Sequence, residues 1–370
     1  MRDYDLDIFR GLAILAVILL HVFFLSDAFL KVEWAVPIAA RLSTGVQLFF
    51  VLSGFLMCRS YTRLQNQQNG LLVYAVKRVA KIYPLYLIFM AIGAALWAAA
   101  YYLTGEPQPF RNSTSPSDFT ARSFLLHVFL LQGIFPQGLH SFVDGSWSIV
   151  CEVYFYILLP LVIIPLTPNL AAALVLLAAA IIGSSYAVNE LPWHLSPVPG
   201  WRYYSFISQL PCFIVGCVLF HAQRNKAIVD FVRRHARVLV TGTIAAMVAM
   251  IWFNHAWIMY HHVYAALFGV LILAALTKGI EVGTLPFGEN LARMGEQSYA
   301  LFLVHIPLLG IERLVLLRLG VTGAFEQVFL MFAGGLFLSL WVSDRIVHRW
   351  DTYFVAQGNI LLNQRITKIA

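Results

Sequence analysis

The sequence predicts an all-α polytopic membrane protein, and three observations lead to this fold class. Of its 370 residues, 60% are hydrophobic and only 12% are charged, whereas about a quarter of a soluble domain is charged. The mean hydropathy is +0.76, so little polar surface is left to cover a water-soluble body. Long apolar runs recur along the whole sequence, each near the roughly 20 residues that a helix needs to cross a bilayer.

We expect about ten transmembrane helices, each formed by one apolar run. The first run begins with mixed charge and has no small-residue cleavage site, which favours a retained helix over a signal peptide. The predicted spans cover about residues 8–26, 41–58, 82–103, 145–166, 169–187, 202–221, 237–254, 260–277, 296–316 and 325–345.

Charged residues in the connections predict that both chain termini are cytoplasmic. The connection 59–81 carries five basic residues and no acidic one, and the connection 222–237 carries five basic residues against one aspartate. Cytoplasmic connections are enriched in Lys and Arg, and both of these join an even-numbered span to an odd-numbered one. We expect one transmembrane domain over residues 1–350 and a short cytoplasmic tail over residues 351–370.

Composition also argues against several kinds of partner. The net charge of +7 would suggest nucleic acid in a soluble protein, but here the basic residues lie in loops and follow from membrane orientation. The four cysteines form no CxxC pair and no zinc-ligand spacing, so we expect packing thiols and no metal site. We expect no permanently bound cofactor, and the lipid bilayer is the surrounding partner.

The first span carries two groups that hydrocarbon disfavours. Arg10 lies near its start and His21 lies eleven residues later, near its end. Eleven residues of helix rise about 16.5 Å and bring the two side chains to within roughly 20° of the same face. One face of this helix therefore carries Arg10 at the cytoplasmic boundary and His21 well past the membrane midplane.

A second ionisable group is predicted at the depth of His21. Glu152 lies about two turns below the outer surface in the fourth span, and ionisable groups inside membranes usually line a cavity or pathway. A carboxylate at this depth can orient a catalytic histidine. The structural alternative is a neutral histidine bonded to a neighbouring carbonyl. His305, near the middle of the ninth span, is either a packing residue or part of the same cavity.

Two further sets of side chains are candidates for binding a ligand or lining a cavity. Arg78 and Lys81 are one turn apart at the cytoplasmic start of the third span, where two cations can hold phosphates; membrane anchoring is the alternative. Ser53 in the second span and Trp147 and Ser148 in the fourth complete the expected cavity. Helix packing at Ser53 and an aromatic belt at Trp147 explain these residues without a site.

Five short motifs follow one another along the chain. They are Arg10 followed by His21, "FFVLSGFLM", "KRVAKIYPLYL", "GSWSIVCEVYFY" and "SYALFLVHIP". In this order they resemble the acyltransferase 3 family of multi-spanning acyltransferases that modify cell-surface sugars. The resemblance implies an acyl-CoA donor, usually acetyl-CoA, and transfer to a hydroxyl of an extracytoplasmic or lipid-linked carbohydrate such as an exopolysaccharide or O-antigen.

The resemblance also assigns roles to individual residues. It implies that His21 is the catalytic histidine with Arg10 as its partner, and that Arg78 and Lys81 serve the donor. We expect Arg10 to bind the anionic end of acyl-CoA together with these two residues, because all three lie at the predicted cytoplasmic boundary. Lys81 stands where arginine is usual in the family, and it keeps the charge but loses the planar fork for phosphate. We expect a stand-alone enzyme of a bacterial inner membrane, without a fused esterase-like domain. A partnership with polysaccharide-assembly machinery and the oligomeric state are left open.

The expected mechanism uses His21 as general base or as transient acyl carrier, with Glu152 stabilising the imidazolium. The main rival is a proton-coupled transporter or flippase for a lipid-linked sugar or small anion, because such carriers also use intramembrane Arg, His and Glu. The sequence lacks the pair of matching broken helices typical of many transporters. A haem protein with axial ligands among His21, His262 and His305 is the second rival.

Overall fold

The structure is a computed structural model that describes residues 3–26, 35–104, 119–135, 139, 141–190, 200–252 and 259–369. Helix is the regular structure of these residues, and no strand occurs among them. The α-helices in this part of the chain are α1 (Tyr4–Leu25), α2 (Ala35–Leu42), α3 (Gly45–Leu64), α4 (Gly70–Thr104), α5 (Ala121–Val128), α6 (Ser146–Leu158), α7 (Ile164–Leu166), α8 (Leu170–Glu190), α9 (Trp201–Tyr204), α10 (Phe206–Ala222), α11 (Lys226–Trp252), α12 (Tyr260–Leu276), α13 (Gly288–Glu296), α14 (Ser298–Arg318), α15 (Ala324–Val342) and α16 (His348–Ile369).

The long helices correspond in order to the predicted spans. Among the described residues, nine helical segments are long and apolar enough to cross a membrane, and α12 is a shorter apolar helix of 17 residues. Hydrocarbon offers the backbone no hydrogen-bond partner, so each span satisfies its own amides as a helix. The prediction of a helical polytopic membrane protein is confirmed. The last two residues of predicted span 237–254 lie outside the described residues, and the side on which each terminus lies stays a prediction.

Two helices are longer than their apolar runs. The third predicted span begins at about residue 82, but α4 begins at Gly70 and has 35 residues; α11 begins at Lys226, well before residue 237. Hydropathy marks where a helix can be in hydrocarbon, whereas backbone hydrogen bonding continues into the polar interface. Arg78 and Lys81 therefore lie on continuous helix, one turn apart as predicted.

Glycine brings α3 and α10 into direct backbone contact. A Cβ added at Gly54 would lie 2.0 Å from the carbonyl oxygen of Phe213, and one added at Gly216 would lie 2.2 Å from the carbonyl oxygen of Val51. Small residues at such crossings let membrane helices approach closely. Ser53, a candidate site residue, is adjacent to this crossing and is fixed by it.

The segment after residue 350 is a helix packed on α4. Gly358 lies so close to Ala80 that an added Cβ would be 2.6 Å from the Ala80 methyl group. Leu362 is buried, and Phe354 packs against the main core. The predicted tail thus forms most of α16 and contributes to the fold, although its side of the membrane stays a prediction.

The crossing of α3 and α10 predicts a large difference between two glycine-to-alanine substitutions. Gly216→Ala should lower the thermal midpoint of the detergent-solubilised protein by several degrees, because a forced methyl group at a packed site costs on the order of 1–3 kcal/mol. Gly183→Ala on α8 is the matched control, since no atom lies within 4 Å of its added Cβ. Fluorescence-detected unfolding measures both, and equal midpoints for the two variants would contradict the close-packing argument.

Candidate active site

Six helices contribute to a cavity of about 160 Å³, namely α1, α3, α4, α6, α13 and α14. Its apolar wall comes largely from α3, and the end of α13 closes one side. Six of the side chains predicted for the site line this cavity together: Arg10, Ser53, Arg78, Lys81, Ser148 and Glu152. The fold thus gathers residues from four helices into one polar pocket. Their chemical roles stay predictions.

The three cavity cations differ in their partners. Arg10 binds Asp7 of its own helix, with 3.0 Å between the guanidinium nitrogen and the carboxylate oxygen, and Lys81 donates to Asp351 of α16. The Nε of Arg78 is buried and has no hydrogen-bond partner among the described residues. Its guanidinium carbon lies 5.7 Å from the centre of the ring of Tyr156. Arg78 is therefore the cation of the three best placed to accept an incoming anion.

The start of α1 is fixed by two contacts, which position Arg10. A Cβ at Gly295 would lie 1.8 Å from the carbonyl oxygen of Asp7 and 3.1 Å from the Cβ of Arg10, so only glycine permits this approach of α13. Lys278, in the loop after α12, donates a hydrogen bond to Asp5. This bond raises the pKa of the Lys278 amine.

Glu152 is held by two hydroxyl groups rather than by His21. Ser53 on α3 donates to its Oε1, and Tyr156, one turn later on α6, donates to the same oxygen at 2.6 Å. The expectation that Glu152 lies against His21 is corrected here. Equal depth in the membrane does not specify which way a side chain points about its helix axis, and Glu152 points toward α3 and the cavity.

The residue that contacts His21 in its place is His305 of α14. The Nδ1 of His21 lies 3.2 Å from the Nε2 of His305, and the two ring centres are 4.9 Å apart at 68°. His305 is fully buried, whereas His21 is half-buried. The sequence left two interpretations of His305, a packing residue or part of the site. The structure favours the second, because His305 lies directly against the predicted catalytic residue.

Two backbone carbonyls determine which nitrogens of this pair carry protons. The Nδ1 of His21 lies 2.8 Å from the carbonyl oxygen of Val17, and the Nδ1 of His305 lies 3.0 Å from that of Leu301. A carbonyl oxygen only accepts, so each Nδ1 must carry the hydrogen. The Nε2 of a neutral His305 is then an acceptor for the same Nδ1–H of His21. In a neutral His21, Nε2 therefore has the lone pair and is the basic nitrogen.

Phe302 connects the cavity with the histidine pair. Its side chain lines the cavity, and its ring centre lies 5.8 Å from that of His305, one turn further along α14. Arg10 lies in the cavity wall, and His21 is about 16.5 Å further along the same helix. One end of α1 therefore contributes a cation to the cavity and the other end contributes the histidine.

Trp147 lies behind the cavity rather than in its wall. Its ring contacts Phe50, which does line the cavity, at a centre-to-centre distance of 6.1 Å. Tyr203 and Tyr204 cover its other side, at 5.5 and 5.1 Å. The prediction that Trp147 lines the cavity is therefore replaced by a supporting position in an aromatic cluster.

Sequence reasoning missed four residues of this region. Tyr156 and Tyr299 line the cavity, Phe302 connects it to the histidines, and Asp351 binds Lys81. Tyr156 follows Glu152 by four residues, a helical spacing that indicates a contact. Tyr299 and Phe302 lie in the motif "SYALFLVHIP", and Phe302 precedes His305 by three residues, about one helical turn. Asp351 is brought in by a distant segment, and no local pattern marks it.

The histidine geometry also bears on the haem rival. His21 and His305 are hydrogen-bonded directly to each other, which differs from two ligands placed on opposite faces of one iron. His262 lies elsewhere, with its Nε2 at 2.7 Å from the carbonyl oxygen of Ser208 on α10. The three histidines therefore belong to two separate hydrogen-bonded clusters.

Comparison with known proteins agrees with this architecture. The model of the acyltransferase 3 family, described as an acyltransferase domain, matches residues 3–346. The chain belongs to this family. It is 25% identical over 322 residues to a protein of Komagataeibacter xylinus named as membrane-bound transacylase BcsY, covering 83% of this chain and 72% of the relative. It is 27% identical over 283 residues to acyltransferase MdmB of Streptomyces mycarofaciens, covering 71% and 67%. No solved structure matches the chain.

Family membership and the apolar helices together establish the general class of this protein. It is an integral multi-pass membrane acyltransferase. The conserved architecture of a family does not specify donor, acceptor or the role of each side chain, so these rest on the site itself.

The carbonyl contacts of the histidine pair predict its protonation state. In protein with ¹⁵N-labelled histidine at neutral pH, His21 should show a protonated Nδ1 and an unprotonated Nε2, because the carbonyl of Val17 requires a donor. Nitrogen chemical shifts distinguish the two states, and His21→Asn and His305→Asn variants assign the signals. A protonated Nε2 together with an unprotonated Nδ1 on His21 would contradict this assignment.

Proposed function

We propose that this acyltransferase moves an acyl group, acetyl in the simplest case, from cytoplasmic acyl-CoA to a hydroxyl of an extracytoplasmic or lipid-linked carbohydrate. The observation that carries the proposal is the gathering of Arg10, Arg78 and Lys81 in one cavity, connected through α1 and Phe302 to a histidine with a basic Nε2. Family membership supports acyl transfer. The acceptor class comes from the resemblance of the motifs, and the organisms of the relatives support a bacterial inner membrane.

The donor is assigned to the cation cavity because of its charge. The nucleotide end of acyl-CoA carries phosphates, and contacts between phosphate oxygens and charged donors are among the strongest hydrogen bonds. Arg78 offers a planar fork with a buried nitrogen that lacks a protein partner among the described residues. Arg10 of α1 and Lys81, one turn beyond Arg78 on α4, add positive charge to the same cavity.

The chemical step places His21 Nε2 beside the acceptor hydroxyl. As the hydroxyl oxygen attacks the thioester carbonyl carbon, Nε2 takes the hydroxyl proton. The new carbon–oxygen bond forms and the carbon–sulfur bond breaks, so that CoA leaves as a thiolate. The proton then passes from Nε2 to the sulfur, which yields free CoA and restores neutral His21.

An acyl-histidine route uses the same nitrogen. Here Nε2 attacks the thioester carbonyl itself, the thiolate leaves, and the acceptor hydroxyl displaces the acyl group from the imidazole in a second step. Both routes need a neutral His21 with its lone pair on Nε2. They differ in whether acyl label is found on the protein.

Two neutral acceptors stabilise the imidazolium that forms when Nε2 takes a proton. The Nδ1–H of His21 faces the carbonyl oxygen of Val17 and the Nε2 of His305. In this proposal they supply the role that the sequence assigned to Glu152. Glu152, bound by Ser53 and Tyr156, is assigned to the cation cavity, where its charge helps to fix the cations.

Loss of the basic nitrogen tests the proposal directly. Purified protein in nanodiscs is incubated with radiolabelled acetyl-CoA and cell-envelope glycan extract. We expect His21→Ala to lower glycan labelling by roughly 10²–10⁴-fold, the usual contribution of a general base. His235→Ala, an exposed histidine on α11, is the matched control and should keep wild-type labelling.

The label also separates the alternatives. Label that accumulates on wild-type protein favours the acyl-histidine route, and full activity of correctly inserted His21→Ala would refute the histidine mechanism. No release of CoA with any acyl-CoA or acceptor, together with proton-coupled uptake into vesicles, would favour the transporter.

Arg78 should control donor affinity rather than the chemical step. Arg78→Gln removes a charged phosphate donor, so we expect the KM for acetyl-CoA to rise roughly 10- to 100-fold with little change in kcat. Lys77→Gln is the control, because Lys77 is the preceding residue of α4 but is exposed and outside the cavity wall. Steady-state kinetics at fixed acceptor concentration measures both, and an equal effect of the two variants would indicate a general surface-charge effect instead.

A further inference from the structure

Asp351 of α16 is a buried carboxylate at the edge of the donor cavity. It lies beyond residue 346, where the match to the family ends. Asp351 is 4% exposed, and one of its carboxylate oxygens accepts a hydrogen bond from Lys81. The other oxygen, Oδ1, is buried and has no hydrogen-bond partner among the described residues. Asp351 thus brings a negative charge from outside the family domain to one of the three cavity cations.

A buried carboxylate with one oxygen that accepts no hydrogen bond is costly unless its charge is compensated. Lys81 provides that compensation and is itself directed between Asp351 and the ring of Tyr299, which lies 5.8 Å from its Nζ. A lysine ammonium is a compact point charge on a flexible stem, so it can exchange one anion for another by rotating its side chain.

We propose that Asp351 is an internal anion that occupies Lys81 while the donor cavity is empty and that a phosphate of acyl-CoA must displace. This inference rests on the proposed function, because it takes acyl-CoA as the donor. Two negative groups that compete for one ammonium repel each other. Asp351 therefore weakens donor binding, and through it α16 sets the affinity of the cavity.

The helix that carries Asp351 is held by other contacts. Gly358 packs on Ala80 of α4, and Leu362 is buried further along α16. Displacement therefore moves the Lys81 side chain and leaves α16 in place, and the cost of leaving Asp351 without its ion pair adds to the weakening of donor binding. For the same reason Asp351→Asn should fold, since the amide keeps the shape of the carboxylate and removes its buried charge.

The experiment measures the Kd of CoA for the full-length protein in nanodiscs. We expect Asp351→Asn to bind CoA about 3- to 10-fold more tightly than wild type, the effect of removing one partly buried competing charge. Asp344→Asn is the matched control. Asp344 accepts hydrogen bonds from Arg293 at 2.9 Å and from Gln297 at 2.9 Å. This variant therefore also loses an ion pair near the C-terminus, but the cation of that pair is not one of the three in the cavity. It should bind CoA as wild type does.

A second pair of variants tests whether the effect passes through Lys81. Lys81→Met should weaken CoA binding, and adding Asp351→Asn to it should produce no further tightening. A loss of packing does not tighten binding, so the expected gain has no explanation in misfolding. Unchanged or weaker binding by Asp351→Asn overturns the inference, and weaker binding would make Asp351 a positioning residue for Lys81.

Failure of the proposed function has a different signature. If intact wild-type protein binds no CoA, the donor assignment is overturned and this inference is overturned with it. If wild type binds CoA and transfers label while Asp351→Asn has unchanged affinity, only the role of Asp351 is overturned.

Discussion

Three ionisable side chains of this site are stabilised by a partner from the protein, because hydrocarbon supplies none. Arg10 uses Asp7, Lys81 uses Asp351, and Glu152 uses the hydroxyl groups of two neighbouring residues. Some of these partners lie on other helices, so satisfying the polar groups also determines which helices are neighbours. The site and the packing of the bundle are therefore consequences of one constraint.

Close helix contacts make this arrangement possible. Gly295 lets α13 approach the backbone at Asp7, and Gly54 lets α3 approach α10 beside Ser53. In each case the glycine is next to a residue that lines the cavity or binds a cavity group. Membrane helices are held together mainly by packing and interhelical hydrogen bonds. The same contacts that stabilise the bundle thus fix the positions of the polar groups.

The sequence predicts the spans and the cation cavity, because both follow from distance along the chain. Apolar runs indicate the helices, and a shared predicted depth places Arg10, Arg78 and Lys81 at one level of the bilayer. Rotation about a helix axis and the order of helices in the bundle do not follow from such a pattern. Depth alone therefore predicted His21 as the partner of Glu152, whereas its partners are Ser53 and Tyr156.

The contact of His21 with His305 illustrates the same limit. The two residues are 284 positions apart, and each was recognised only as an ionisable group in an apolar helix. Their hydrogen bond depends on the packing of α1 against α14. Asp351 was not recognised at all, since it lies in a segment whose weaker apolar pattern was interpreted as a tail.

In the proposed mechanism, the Nδ1–H of His21 faces neutral groups rather than a carboxylate. A carboxylate beside the imidazole would stabilise the protonated ring strongly in a medium of low dielectric constant. The proton taken from the acceptor would then be held more tightly than in the proposed pair. His305 and the carbonyl of Val17 accept the Nδ1–H without adding charge, so they orient the ring and stabilise the imidazolium only moderately. In this proposal Glu152 belongs to the cation cavity and a second histidine lies beside the first, so donor binding and proton transfer take place at the two ends of α1.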